Sequence, residues 1–379
     1  MNDIREAPGK TWFWELESAV IQAQRCVQCG TCVAACPSDS IGIGDSGLPE
    51  LVKMCTGCSL CWDFCPRGGL RYESLWPSAD GLGEVLELLS VRVAGGPKQG
   101  QDGGVVTHLL VSALEAGWLD GALVTSESEA DLWKGVAKLA RTPQEIFAAA
   151  RSFYNQSMVL GSLDLAGHRL SDSPRLALVG TPCEIQGLKA LQSRTWNWGQ
   201  SQVGAVVLTV ALMCTKSFDY NALMIEEIER KRNIALSEVA KMDIQHGRLK
   251  VRDRLDRVVV DEPVKRFHKA ALQGCDECAD LVGRAADITV GSVGSPGGWS
   301  SVIIRTPQGL EAFDLARQGL EVEPLADKAA IERLDIFNRR LAVESLERDL
   351  DPNGPLFMEY EEHLCSYQGS VRAPVMIER

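Results

Sequence analysis

Apolar residues follow two patterns through the central part of the chain. The segment VVTHLLVSALEAG, which follows Gly104, is apolar at helical spacing, and Gly117 is a suitable residue to end the helix. Short apolar runs at 121–126, 175–180 and 204–212 are typical of buried strands, and further helical patterns lie at 184–191, 221–232 and 310–318. Strands that alternate with helices predict a domain of the α/β (or looser α+β) class.

The same patterns divide the chain into four predicted parts. Residues 1–75 carry a dense group of cysteines, and residues 102–345 carry the alternating strands and helices. Between them, residues 76–101 contain Pro77, Pro97 and several glycines, which predicts a linker with one short helix over 84–91. Residues 346–379 have weak patterning and are predicted to form an extended tail.

Composition and charge narrow the class of protein. The chain has 51 Asp and Glu against 39 Lys and Arg, a formal net charge of −12, which disfavours binding to nucleic acid. The first twenty residues lack the apolar region of a signal peptide, and the longest apolar run, 203–213, is too short to span a bilayer. We therefore expect a cytoplasmic protein, either free or held at the inner face of a membrane through a partner complex.

Eight cysteines in the first part form two identical motifs, C-x2-C-x2-C-x3-C-P. The first motif comprises Cys26, Cys29, Cys32 and Cys36, and the second comprises Cys55, Cys58, Cys61 and Cys65. Three cysteines at this spacing wrap a loop around three corners of a cubane, and the fourth, before a proline, reaches the neighbouring cluster. The motifs thus predict a bacterial-type ferredoxin domain with two [4Fe–4S] clusters, one held by Cys26, Cys29, Cys32 and Cys65, the other by Cys55, Cys58, Cys61 and Cys36. A pair of zinc knuckles is the alternative, but the ligands exceed what zinc needs.

A second group of cysteines lies in the α/β part. Cys183 and Cys214 each follow a predicted strand, and Cys275 and Cys278 form a C-x2-C pair. If the strands are neighbours in one sheet, these four thiols converge into a third [4Fe–4S] site. The alternative is that Cys183 and Cys214 are small core residues. Cys365, the remaining cysteine, is predicted to be a plain thiol.

A series of short motifs resembles one known family. The series comprises QDGGVVT at 101–107, PC at 182–183, MC at 213–214, CDEC at 275–278 and DITVGSVGSPGGWS at 287–300. In order and spacing it is similar to the family of beta subunits of coenzyme F-420-reducing hydrogenases and dehydrogenases, over residues 98–310. The ferredoxin domain and the CPRGG junction at 65–69 resemble the input subunit of F-420H2 dehydrogenase.

The resemblance implies cofactors and the residues around them. It implies a catalytic domain with FAD and a third [4Fe–4S] cluster on Cys183, Cys214, Cys275 and Cys278. Small residues allow backbone amides to approach phosphates and the flavin ring. The FAD contacts implied by the resemblance are Gly103, Gly104, Thr107, Gly291, Ser292, Gly294, Ser295, Gly298, Trp299 and Ser300, with a looser match at Arg151 and Ser152. Without the family, the segment 291–300 would be only a glycine-rich turn.

The implied reaction is hydride exchange between coenzyme F-420 and FAD, followed by single-electron transfer through the clusters. No catalytic side chain is expected, because the flavin mediates the chemistry. The implied partner is a ferredoxin or a larger redox complex: a complex I-like membrane dehydrogenase, a hydrogenase, a formate dehydrogenase or a heterodisulfide reductase-like enzyme. Two rival functions stay open: a ferredoxin-dependent reductase of another organic molecule, similar to 7-hydroxymethyl chlorophyll a reductase, and an electron relay without its own substrate.

Other residues depart from the family or have plain explanations. Glu184 stands beside Cys183 where relatives often have Gln, and an ionised carboxylate there would lower the potential of a neighbouring cluster. His108 is expected to be a packed or exposed residue. The anionic tail of F-420 favours a basic entrance, for which the candidates are Lys98, Lys265, Arg266 and Lys269, although a solvated charged face explains them equally well.

Overall fold

The computed structural model describes residues 12–67, 81–96, 102–163, 170, 173–192 and 202–348. In its N-terminal part, helix α1 (Phe13–Leu16) continues as a wider π-type turn (Glu17–Gln22), and a hairpin pairs β1 (Ile41–Ile43) with β2 (Pro49–Leu51). Each cysteine loop leads into a short helix, α2 (Thr31–Ala34) or α3 (Leu60–Asp63). The two loops thus have the same local structure, as their identical cysteine spacing predicts.

The rest of the described chain is built on a mixed eight-stranded sheet and a separate three-stranded sheet. The strands are β3 (Glu87–Val93), β4 (Gly121–Glu127), β5 (Gly135–Ala140), β6 (Leu176–Gly180), β7 (Val206–Leu212), β8 (Val239–Gln245), β9 (Arg248–Asp253), β10 (Val258–Pro263), β11 (Ile288–Gly291), β12 (Ser300–Ile304) and β13 (Leu320–Pro324). The large sheet has the order β13-β3-β12-β11-β7-β6-β4-β5. Its four middle strands β11, β7, β6 and β4 are parallel, so their carboxyl ends share one edge.

Helices cover both faces of the large sheet. On one face, α4 (Val105–Glu115) and α7 (Pro307–Ala316) pack with the sheet around an apolar core. The other face carries α6 (Pro182–Gln192), whose core also includes Ala34, Ala35 and Phe64 of the cysteine-rich part. The two parts of the chain therefore share one hydrophobic core, which fixes the cysteine loops against the sheet.

The remaining elements lie around the large sheet. The helical segment Asn221–Arg230 packs with β8, β9 and β10 around its own apolar cluster. A short helix, α5 (Pro143–Ala148), is capped by Thr142, and the long α8 (Lys328–Arg348) follows β13. None of the helices in the described ranges is both long and apolar enough to cross a membrane.

Most of the predicted elements are confirmed, and one is wrong. The helices expected at 105–117, 184–191, 221–232 and 310–318 and the strands expected at 121–126, 175–180 and 204–212 are all present with small shifts in their ends. The helix predicted over 84–91 is instead strand β3, which pairs with β12 and β13 inside the large sheet. Its register is set by strands more than 200 residues away in sequence, so the predicted linker contains part of the sheet. The predicted tail at 346–379 lies outside the described residues apart from the last turn of α8.

Candidate functional site

Two small cavities in the N-terminal part are each lined by four cysteines. One is lined by Cys26, Cys29, Cys32 and Cys65, together with Arg67. The other is lined by Cys36, Cys55, Cys58 and Cys61. Each cavity thus takes three cysteines from one loop and the fourth from the other, which is the grouping that the two motifs predict. Among the described residues, no group of three or more His, Cys, Asp or Glu side chains is close enough to share a single metal ion.

Two sulfurs that line the first cavity accept hydrogen bonds from backbone amides. Burial raises the pKa of the Cys26 and Cys65 thiols to about 12. Backbone N–H groups of Gln28 and Arg67 donate to the two sulfurs at 3.4 Å. A buried thiol with a raised pKa releases its proton when a metal binds, and the amides then stabilise the thiolate. Both cavities therefore fit iron–sulfur clusters in their donor set.

The four cysteines of the α/β part also come together. Cys183 lies in the first turn of α6 after β6, and Cys214 follows the neighbouring parallel strand β7, so both lie at the carboxyl edge of the sheet. Cys275 and Cys278 belong to the turn after 272. Burial raises the pKa of Cys214, and Cys275 and Cys278 raise it further. Burial likewise raises the pKa of Cys183, as do Cys29, Glu184 and Cys278. Because each of these thiols affects the pKa of another or is affected by it, the four lie within electrostatic range of their neighbours and of Cys29 in the first cavity.

Polar groups hold this third group of cysteines in place. The amide Nδ2 of Asn338, on α8, donates to the Cys278 carbonyl at 3.0 Å. The backbone N–H of Cys214 donates to the Leu281 carbonyl at 3.1 Å. Glu184 is buried and accepts from the N–H of Val159 at 2.6 Å and of Thr181 at 2.9 Å, while burial raises its pKa to about 7. The loops around Cys183 and Cys278 are therefore fixed from several sides.

A larger cavity of about 370 Å³ opens at the carboxyl ends of the parallel strands. It is bounded by the ends of β4, β6, β7 and β11 and by the start of α4, and Cys214 is part of its wall. Ligands of open α/β sheets commonly bind at this edge. The predicted FAD residues that line it are Gly104, Thr107, Arg151, Ser152, Gly291, Ser292 and Ser300.

The other predicted FAD residues are not part of the described cavity wall. The N–H of Gly103 donates to Ser300 Oγ at 3.2 Å, and a β-carbon on Gly103 would lie 2.4 Å from the Val91 carbonyl oxygen. Ser295 exchanges a hydrogen bond with Ser301, and the Trp299 ring packs against Arg92. The remaining two positions, Gly294 and Gly298, have left-handed backbones, which glycine tolerates best. These residues shape the loop that carries Ser300 to the cavity.

Several cavity residues have no signal in the sequence patterns. The wall includes Asp102, Thr125, Tyr154, Lys216 and Asp243. The Tyr154 hydroxyl accepts from the Ile244 N–H at 2.9 Å, so β8 of the small sheet also contributes. Asp102 belongs to the motif at 101–107, and Tyr154 follows the loose match at Arg151 and Ser152. Thr125, Lys216 and Asp243 lie in strands or loops that carry no comparable signal.

The described residues that were predicted to form a basic entrance do not line the cavity. Lys98 lies outside the described residues, and Lys265, Arg266 and Lys269 are not part of the described cavity wall. Arg266 instead forms an ion pair with Glu262 at 3.1 Å. The basic side chains that line the cavity are Arg151 and Lys216, which pair with Glu127 and Asp276. His108, as expected, is a packed residue, with Nε2 3.1 Å from the Ala316 carbonyl oxygen.

A two-cluster ferredoxin module packed on an α/β domain with cysteines at its sheet edge defines an iron–sulfur electron-transfer protein. The sequence matches the model for a 4Fe–4S dicluster domain at 19–71. It also matches the models for the beta subunit of coenzyme F-420 hydrogenase/dehydrogenase, N-terminal part at 91–164 and C terminus at 174–328. The chain belongs to this family of beta subunits.

The chain is similar to several proteins whose names refer to coenzyme F-420. The beta subunit of the coenzyme F-420 hydrogenase of Methanosarcina barkeri is 35% identical over 71% of this chain and 91% of its own length. A component of the F(420)H(2) dehydrogenase of Methanosarcina mazei is 29% identical over 80% of this chain and 85% of its own. The coenzyme F-420-dependent sulfite reductase of Methanocaldococcus jannaschii is 29% identical over 90% of this chain, but the chain spans only 53% of that protein. A chain in the solved F-420-reducing [NiFe] hydrogenase complex of Methanosarcina barkeri is similar with TM-score 0.64 and 31% identity, over 72% of this chain and 93% of that one.

Proposed function

We propose that this protein transfers electrons between reduced coenzyme F-420 and a ferredoxin or a partner redox complex. FAD in the 370 Å³ cavity would exchange hydride with F-420, and three [4Fe–4S] clusters would carry single electrons between FAD and the partner. The ligands of the third cluster would be Cys183, Cys214, Cys275 and Cys278. The eight cysteines of the N-terminal part would hold the other two.

The continuity of the four sites carries this proposal. Cys214 belongs to the wall of the large cavity and to the third cysteine group. The pKa of Cys183 in that group is raised by Cys29, which lines the first N-terminal cavity. The second N-terminal cavity includes Cys58, which is exposed. Cys61, which lines the second N-terminal cavity, raises the pKa of Cys32 in the first. The four sites thus form a series from the large cavity to the exposed Cys58, as a flavin-to-partner electron route requires.

The cavity residues fit a flavin nucleotide. Gly104 and Thr107 line the cavity, so the N-terminus of the 11-residue helix α4, whose first turn has no side-chain cap from Gly104, lies at the cavity. The hydroxyls of Thr107 and Ser300 and the guanidinium of Arg151 add polar groups suited to phosphates or a ribityl chain. The apolar wall includes Val124 and Leu110, which suit a ring system.

The names of the relatives favour F-420 over another organic substrate. Subunits of an F-420 hydrogenase and an F(420)H(2) dehydrogenase are similar to most of this chain. The partner would therefore be a complex of the hydrogenase or dehydrogenase kind. This chain is similar to about half of the sulfite reductase, which supports the proposal that the chain is a module that can feed electrons to a reductase.

An anaerobic assay with the purified full chain tests the proposal. After reconstitution with iron, sulfide and FAD, the protein is mixed with reduced F-420 and methyl viologen. Each F-420 that is oxidised releases two electrons, so we expect two viologens to be reduced for each F-420 consumed. Bound FAD without this activity would favour a reductase of another organic substrate, and a protein that binds no FAD would favour a relay subunit.

A further inference from the structure

Arg67 lies between the first N-terminal cavity and the third group of cysteines. It follows the Cys65-Pro66 dipeptide and lines the cavity of Cys26, Cys29, Cys32 and Cys65. Its side chain is about nine-tenths buried. The guanidinium donates from Nε at 3.0 Å and from Nη2 at 2.9 Å to the carbonyl of Gly274, the residue before Cys275.

A buried acid and a second arginine complete this contact. Glu277, between Cys275 and Cys278, is also about nine-tenths buried and lies 3.6 Å from Arg67 Nε. Arg25, which precedes Cys26, donates to both Glu277 oxygens, at 2.8 and 2.6 Å. Arg25 also donates to the Arg67 carbonyl at 3.2 Å. A β-carbon on Gly274 would lie 2.0 Å from the Arg25 carbonyl oxygen, so the two loops touch without room for a side chain.

The charge of Arg67 acts on both cysteine groups. The guanidinium lines the cavity of Cys26 and Cys65 and donates to the carbonyl of the residue before Cys275, so it lies beside both groups. Arg67 is not part of the described wall of the cavity formed by Cys36, Cys55, Cys58 and Cys61. One positive charge in a low-dielectric interior is therefore shared by two of the three cysteine groups.

We propose that Arg67, held by Glu277, is a positioning residue that couples the first N-terminal cluster to the third cluster and raises the reduction potentials of both. The inference rests on the proposed third cluster and deepens that proposal. An added electron makes a thiolate-bound cluster more negative, and a nearby guanidinium stabilises that state. The hydrogen bonds from Arg67 to the Gly274 carbonyl fix the two loops together.

Potentiometric titration followed by electron paramagnetic resonance tests this inference without F-420. In the full reconstituted chain, Arg67→Gln removes the charge and keeps a donor of similar length. We expect the reduction equilibrium constants of the first and third clusters to fall about tenfold, which is about 59 mV for a one-electron couple. The second N-terminal cluster serves as an internal reference and should keep its potential. Arg67→Lys keeps the charge and should shift the potentials much less.

The outcomes separate this inference from the proposed function. Suppose that Arg67→Gln contains three clusters and that their potentials either do not change or all change equally. This result would reject the inference about Arg67 and leave the proposed function unaffected. If only two clusters give signals, the third cluster is removed from the proposed function. The potential of the first N-terminal cluster would then still test the role of Arg67. If Arg67→Gln does not bind iron, Glu277→Gln is measured instead. This variant removes the negative charge that opposes Arg67, so the potentials of the first and third clusters should rise. Unchanged potentials would reject the inference.

Discussion

Thr31 Oγ1 occupies the space that a β-carbon on Gly187 would need, because the two positions would be 2.0 Å apart. Thr31 begins α2 in the first cysteine loop, and Gly187 lies in the middle of α6 on the large sheet. Gly161 makes a similar close approach to Gly30. Glycines of the α/β part thus allow the first cysteine loop to pack directly on the helix that begins with the Cys183 turn.

Gly187→Ala should therefore destabilise the protein although alanine favours helices by about 1 kcal/mol. Thr31 is fully buried and its hydroxyl lies 3.1 Å from Cys29 Sγ, so it cannot move without disturbing a predicted ligand. Overpacking of this kind costs about 1–3 kcal/mol. Urea unfolding of the reconstituted protein measures the loss in the free energy of unfolding.

A matched control and a double variant identify the cause of that loss. Gly297→Ala adds a methyl group where no atom lies within 4 Å, and it should leave the stability nearly unchanged. In a double variant, Thr31→Ala removes the hydroxyl that meets the new methyl group, so the combined loss should be smaller than the sum of the single losses. A Gly187→Ala protein as stable as the parent would show that the loops can separate easily.

The sequence predicts the parts of the site that are encoded locally. The spacing of the cysteine motifs is sufficient to group the first eight cysteines, since a loop of three cysteines has only one way to enclose a cluster. The position of Cys183 and Cys214 after two predicted strands is also enough to expect them at one sheet edge. Strand β3 could not be predicted in this way. Its segment is rich in Leu and Glu, which favours a helix locally, but pairing with β12 and β13 makes it a strand.

Contacts between distant segments could not be predicted in the same way. Arg67 and Gly274 are 207 residues apart, and Asn338 meets Cys278 across 60 residues. Arg67 belongs to the CPRGG junction, but that motif does not indicate which residue its side chain contacts, and Asn338 belongs to none of the motifs. The packing of the cysteine-rich part on the sheet and of α8 on the turn at 273–277 brings these residues to the two cysteine groups.

Cys278→Ala should remove one cluster and leave the flavin. We expect the iron and sulfide contents to fall by about one third, because one of three clusters loses a ligand. FAD content should not change, since Cys278 is not part of the described cavity wall. Rapid mixing with reduced F-420 should then show no reduction of the N-terminal clusters. Cys365→Ala, at the cysteine outside all predicted ligand groups, is the control, and equal iron contents in the two variants would contradict the third site.

Asn338→Ala should weaken the third cluster without affecting the other two. The substitution removes the donor to the Cys278 carbonyl, and loss of such a buried hydrogen bond costs about 1 kcal/mol. We expect iron to leave the third site several-fold faster in the presence of a chelator, as followed by absorbance and by paramagnetic resonance. Ile336→Ala, at a position 66% exposed on the same helix, should release iron at the parent rate. Equal rates in both variants would mean that α8 does not support the site.

Thr107→Val tests the flavin assignment with a change of little volume. Thr107 lines the cavity from the first turn of α4, so its hydroxyl is available to the bound nucleotide. Loss of one hydrogen bond of about 1 kcal/mol should weaken FAD binding about fivefold, which flavin fluorescence during titration of the apoprotein measures. Ser112→Ala on the same helix, away from the described cavity wall, should bind FAD as the parent does. If both variants bind FAD with the parent affinity, the hydroxyl of Thr107 does not contact the flavin nucleotide.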